Sequence, residues 1–261
     1  MSIDIHCHLT DEEFQEVGGV NAVVLRAKKE GVELLVCSGY DLPSSLKAKE
    51  IADAFENVYF CAGFHPSELK KYHDGDFEVF KTLWSHEKCV AVGEIGFDLH
   101  FEDNFPKERQ REFFLKQMEL ADEAGLPVVI HSRDAASETL EFLREQQALL
   151  KHGGLLHCYS YSPEMLPAFA ELGLYFSFGG PATFKNASKV QNSVKATPID
   201  RILTETDCPY LTPVPYRGVF PNEPKNVQFV VEKLAELKNK DVKEFEKQVK
   251  ANAKRLFFKI K

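Results

Sequence analysis

Short apolar runs ending in glycine, histidine or an acid alternate along this chain with longer segments whose apolar positions recur every three or four residues. The first rhythm suits buried strands; the second suits helices with one face on a core. The run Ile3-Asp4-Ile5-His6-Cys7-His8 opens the series, and a helix follows over Val20 to Glu30, striped by Val20, Val23, Val24 and Ala27 and stopped by Gly31. Strands are then expected over Val32 to Cys37, Val58 to Phe64 and Cys89 to Val92, the last delivering Gly93-Glu94-Ile95-Gly96. Helices over Ser44 to Phe55 and Phe77 to Ser85 separate them.

The same alternation continues. A helix from Pro106 to Ala124, stopped by Gly125, precedes a strand over Pro127 to Ile130 that finishes at His131. Ala135 to Lys151 reads as helix, Gly153 to Leu156 as a strand finishing at His157, and Pro163 to Leu172 as helix. Leu174 to Phe178 is the seventh strand, Phe184 to Lys195 a helix, and Arg201 to Thr204 the eighth strand, running into Glu205-Thr206-Asp207. Thr212 to Pro224, with four prolines, is a loop long enough to suggest function. Two helices close the chain, near Glu223 to Leu237 and from Asp241, whose spacing to Glu244 resembles a capping box. In the last helix Val242, Phe245, Val249, Leu256 and Phe257 are expected to face inward.

Eight strands with intervening helices in 261 residues predict one domain, a closed (β/α)8 TIM-type barrel spanning residues 1–261. A 44% apolar fraction supplies its core. With 32 basic against 40 acidic side chains the net charge is −8, which argues against a protein that grips duplex nucleic acid through many phosphate contacts. Six cysteines stand at 7, 37, 61, 89, 158 and 208 without a C-x-x-C pair, which suggests reduced core thiols. No membrane span or signal peptide is expected, so the expected location is cytoplasmic or nuclear.

Candidate chemistry gathers at the strand ends. Side chains alternate along a strand, so His6 and His8 point the same way while Cys7 points away. Glu94, His131, His157 and Asp207 each end another strand, at the rim where barrel enzymes carry their active sites. Six donors are too many for one tetrahedral ion and suit two: His6, His8 and Asp207 on one, His131 and His157 on the other, and Glu94 between. The expected cofactors are two divalent ions from among zinc, manganese and magnesium, with the histidines favouring zinc or manganese in at least one position. Each donor alone has a plainer account: Glu94 pairing with Arg133, Asp207 capping the next turn, His157 packed in the core. His73, His86 and His152 read as surface residues.

These residues lie in motifs that resemble the TatD-like metal-dependent deoxyribonucleases of the amidohydrolase superfamily. The likeness spans nearly the whole chain. It rests on Asp4-Ile5-His6-Cys7-His8, Gly63-Phe64-His65-Pro66, Gly93-Glu94-Ile95-Gly96-Phe97-Asp98, His131-Ser132-Arg133-Asp134-Ala135, His157-Cys158-Tyr159-Ser160, Glu205-Thr206-Asp207-Cys208-Pro209 and Arg217-Gly218. Two positions depart from the usual pattern: Tyr161 in place of glycine and Cys208 in place of serine.

The resemblance implies a two-metal phosphodiesterase with DNA as substrate, single-stranded or frayed at its ends, cut from the 3′ end and also at abasic sites. Asp207 is then the candidate for proton transfer, with Glu94 bridging the ions, and His65 and Arg217 are candidate phosphate contacts. Glu205 faces the same side as Asp207 one layer down and is placed to orient a ligand histidine. The expected protein is a monomer with no obligate protein partner. Hydrolysis of an amide or lactone by the same scaffold, and a metal-binding scaffold without activity, are the rival readings.

Overall fold

In a computed structural model describing residues 1–261, eight parallel strands follow one another around a barrel in chain order. They are β1 (Ser2–Cys7), β2 (Val32–Ser38), β3 (Val58–Ala62), β4 (Cys89–Asp98), β5 (Val128–Arg133), β6 (Gly154–Leu156), β7 (Tyr175–Phe178) and β8 (Ile202–Thr204). Around them lie α1 (Gly19–Lys29), α2 (Leu42–Ala54), α3 (Asp76–Trp84), α4 (Lys107–Ala124), α5 (Ala136–Glu145), α6 (Leu166–Ala170), α7 (Ser188–Ala196), α8 (Val227–Leu237) and α9 (Val242–Leu256). The architecture is the predicted (β/α)8 barrel. Its helices cover the outer face of the sheet, which is why the strands read as continuous apolar runs.

The barrel closes between its last and first strands. At the rim the Asp207 amide donates to the His6 carbonyl at 3.0 Å and the His8 amide to the Cys208 carbonyl at 2.8 Å. Deeper in the seam the Thr204 hydroxyl donates to the Ile3 carbonyl. The buried Asp4 carboxylate accepts from the Thr206 amide at 3.0 Å and from the Thr206 hydroxyl at 2.5 Å. These bonds bring the histidines of the first strand against the acid beyond the eighth.

Two strands run past their expected ends. β4 reaches Asp98 and β5 reaches Arg133 because they pair with each other, Gly96 with His131 and Asp98 with Arg133. Gly96 permits this approach: its φ is +144°, and a Cβ there would stand 2.0 Å from the His131 carbonyl oxygen. Three helices are shorter than expected. α5 gives way to a 3-10 turn at Gln147–Leu150. α7 starts only at Ser188, because the Thr183 hydroxyl donates to the Gly180 carbonyl and closes a separate turn before it. α6 keeps only its central turn.

Asp241 caps α9 by accepting from the Lys243 and Glu244 amides, and Phe245, Val249, Leu256 and Phe257 are buried against the barrel. Val242 is the exception: at the first position of α9 it is exposed. All six cysteines are free. No helix is long and apolar enough to cross a membrane.

Candidate metal centre

At the carboxyl end of the barrel the six strand-end donors converge in two groups, His6, His8 and Asp207 in one and Glu94, His131 and His157 in the other. Within each group the potential ligand atoms lie inside 4.8 Å of one another. Glu94 joins the groups through its two oxygens. Oε2 is 3.2 Å from His6 Nε2, and Oε1 is 2.7 Å from both His131 Nδ1 and His157 Nε2. On the first side Asp207 Oδ1 lies 3.3 Å from His8 Nε2 and 3.7 Å from His6 Nε2.

Three of the four imidazoles are hydrogen-bonded through the nitrogen that faces away from this cluster, and the fourth, His157, faces a carboxylate there without a bond. His6 Nδ1 meets the Ser38 hydroxyl at 3.0 Å and His8 Nδ1 meets the Ser38 carbonyl at 3.1 Å, both at the end of β2. His131 Nε2 is bonded to Asp98 at 3.1 Å, and His157 Nδ1 faces Glu205 at 3.8 Å. Glu205 is itself fixed by the Ser177 hydroxyl at 2.6 Å. Such backing sets the tautomer and the ring orientation of a metal-ligating histidine.

Charge and burial are balanced closely. Burial would raise the Glu94 carboxyl, but the imidazoles of His157, His65 and His6 and the His131 bond hold it well below the ordinary carboxylate range. His6 is pushed down by burial and by the charge of His157. Burial would lower His8 too, yet Asp207 outweighs it and lifts the group to about 9. A fully buried imidazole nitrogen, His6 Nε2, has no hydrogen-bond partner. An orphaned nitrogen aimed at two carboxylates, among four imidazoles in all, is a donor set that fits divalent transition ions.

The other candidates divide. His65 joins the cluster: its Nε2 is 3.4 Å from Glu94 Oε1 and its ring lies edge-on to His131 at 4.2 Å. Arg217 stands exposed on the long loop, its guanidinium 4.0 Å from the centre of the Phe184 ring. Arg133 stacks over Phe101 and leaves Glu94 to the histidines. Tyr161 bonds the Ser132 hydroxyl at 2.8 Å, just beyond His131, whereas Cys208 is wholly buried. His86 and His152 face Asp53 and Asp122 on the outer surface, and His100 pairs with Asp134.

Sequence reasoning missed Asp98 and Ser38 as supports. For Asp98 a signal existed: Glu94, Gly96 and Asp98 alternate on one face of β4, so an acid two steps beyond Glu94 points the same way. Ser38 carried none, being an ordinary strand-end serine.

Comparison with known proteins agrees with this geometry. The family described as TatD related DNase matches residues 3–258. The metal-dependent hydrolase YabD of Bacillus subtilis is 42% identical over 98% of this chain and 99% of its own. The metal-dependent hydrolase YcfH of Escherichia coli K12 is 36% identical over 98% and 95%. The crystal structure of YJJV, a TatD homologue from Escherichia coli K12, superposes with a TM-score of 0.90 at 30% identity, covering 98% of each chain. With the family model, curated relatives and a solved barrel all matching over nearly the full length, the chain belongs to the TatD family of metal-dependent hydrolases.

Proposed function

We propose that the centre holds two divalent cations and hydrolyses phosphodiester bonds of DNA, at the 3′ ends of single strands and at abasic sites. The observation that carries this reading is the meeting of two three-residue donor groups at the two oxygens of Glu94. His6, His8 and Asp207 would hold one ion, His131 and His157 the other, and Glu94 both. When bound, such a pair supplies Lewis acidity toward a phosphoryl oxygen and a water of lowered pKa. The family's name, a DNase, supports the substrate class.

The protein's own groups provide position and proton transfer. Asp207 sits at φ +56°, in the left-handed region that costs a non-glycine residue about 1–3 kcal/mol. Its amide bond to His6 and its carbonyl bond from the Tyr210 amide hold it there. That turn aims the carboxylate over the centre, where it takes the proton of the attacking water. His65 Nδ1 accepts from the Ser67 amide at 3.1 Å, which leaves Nε2 as the protonated nitrogen facing the centre, a donor for a phosphate oxygen. Arg217 supplies a second donor from the loop, acting on the strand outside the centre.

The test pairs metal analysis with activity. Protein loaded with zinc, manganese or magnesium is assayed on a labelled single-stranded oligonucleotide and on a panel of lactones and amides. Two bound ions per chain and oligonucleotide cleavage are the expected results. Turnover confined to lactones or amides overturns the reading.

A further inference from the structure

Beside the centre, on the side of His8 and Asp207, the rim is hollowed into a cavity of about 410 Å³ bordered by Thr10, Asp11, Glu13, Tyr40, Lys47 and Tyr210. Its volume is that of a small-ligand site, roughly 300–1,000 Å³. None of these side chains belongs to the six donors, yet the cavity adjoins them directly. The Tyr40 ring lies edge-on to His8 at 5.8 Å, the Asp11 amide donates to the His8 carbonyl, and the Tyr210 amide donates to the Asp207 carbonyl.

The lining is selective. Tyr210 lines the cavity and shows nearly half of its surface to solvent. The Tyr40 hydroxyl donates to Asp11 Oδ1 at 3.2 Å, and the Lys47 ammonium, the one cation of the lining, gives one of its three N–H groups to the Thr10 carbonyl at 2.6 Å. What remains for a ligand is mostly acceptors, the carboxylates of Asp11, Glu12 and Glu13. Such a lining repels phosphate and suits a flat ring that brings its own N–H donors.

We infer that this cavity is a base-binding subsite that takes an amino-bearing nucleobase next to the scissile phosphate. The ring stacks on Tyr210, and its exocyclic amine donates to the Asp11 carboxylate. This inference rests on the phosphodiesterase reading above and narrows its substrate. Base stacking on an aromatic side chain is strong enough to change kcat/KM about tenfold or more.

Two measurements test it. In the first, metal-loaded enzyme cleaves single-stranded oligonucleotides carrying adenine, cytosine, thymine or an abasic tetrahydrofuran residue at either nucleotide flanking the cut. At one of those positions adenine and cytosine are expected to exceed the abasic substrate about tenfold or more, with thymine between. The Tyr210→Ala variant should lower adenine and cytosine to the abasic rate, and Asp11→Asn should narrow the gap between adenine and thymine. Equal rates for all four residues at both positions, a preference for thymine, or an unchanged preference in Tyr210→Ala overturns the subsite. Failure to cleave any oligonucleotide, the abasic ones included, is a different result and overturns the phosphodiesterase reading.

The second measurement needs neither metal nor turnover. Adenosine titrated into the protein is expected to shift the ring resonances of Tyr40 and Tyr210 saturably, with thymidine about tenfold weaker. No shift at either ring overturns the subsite, whatever the activity shows.

Discussion

His6 and His8 on one side of the centre and His131 and His157 on the other offer the same ligand chemistry, but different groups hold them from behind. The first pair leans on one uncharged residue, Ser38, through its hydroxyl and its carbonyl. The second pair faces carboxylates, Asp98 bonded behind His131 and Glu205 3.8 Å behind His157 without a hydrogen bond. A carboxylate behind an imidazole fixes the ring and also raises its basicity, whereas a strand carbonyl or hydroxyl mainly fixes it. The first side is therefore positioned by the sheet and takes its charge from Asp207. The second carries its charge in its backing.

The largest effect should come from the side whose charge rests on one residue. Asp207→Asn is expected to lower hydrolysis by about 10²–10⁴-fold while far-ultraviolet circular dichroism stays that of the wild type. Wild-type turnover in that variant would remove Asp207 from the mechanism and leave the first side without a distinct role.

Asp98→Asn asks the matching question of the second side. It keeps a hydrogen-bond acceptor behind His131 and removes the charge, and metal affinity should fall about 10–100-fold. Calorimetric titration with zinc should show the loss confined to one of the two ions. Equal weakening of both would mean that the two sides do not differ in this way. Ser38→Ala is the smaller counterpart: it deletes the hydroxyl behind His6 while the main-chain carbonyl still holds His8. One hydrogen bond of about 1 kcal/mol limits the loss to about fivefold. A loss as large as that of Asp98→Asn would show that charge in the backing does not matter.

The unequal backing also explains what could be read from the chain alone. Histidine and acid at the ends of apolar strands stand out because charge is rare there, and a barrel topology carries all such ends to one rim. So the six donors and the eight strands were legible. The supports were less so. Asp98 lay beyond the expected end of the fourth strand, and only pairing with β5 carries the strand out to it. Ser38 differs from many structural serines only in what crosses above it, a tertiary fact. Val242 was misplaced because helical periodicity identifies a stripe and not the turn of the helix at which burial begins. Arg217 was chosen for its chemistry on a long loop, and its contact with Phe184 depends on how that loop folds.

The smallest expected effect on the centre comes from a change beside the uncharged backing that leaves Ser38 untouched. Asp41 caps α2, just beyond β2, by accepting from the Ser44 amide at 2.9 Å, and Lys71 lies 2.9 Å from its other oxygen. Asp41→Ala should cost about 1–2 kcal/mol of stability in urea denaturation, as loss of an N-cap does, with metal affinity unchanged. The pH dependence has a definite sign. Burial would raise the Asp41 carboxyl, but the bonds from Lys71 and Ser44 outweigh it and hold the group below its usual 3.8. A carboxyl depressed on folding stabilises fully above the unfolded value and loses that contribution as pH falls through the folded one. With chelator present to remove metal linkage, the gap between wild type and Asp41→Ala should be constant near neutrality and shrink below pH 3.8. If metal affinity fell along with stability, the first side would depend on the packing of α2 as well as on Ser38, and its support could no longer be assigned to the strand alone.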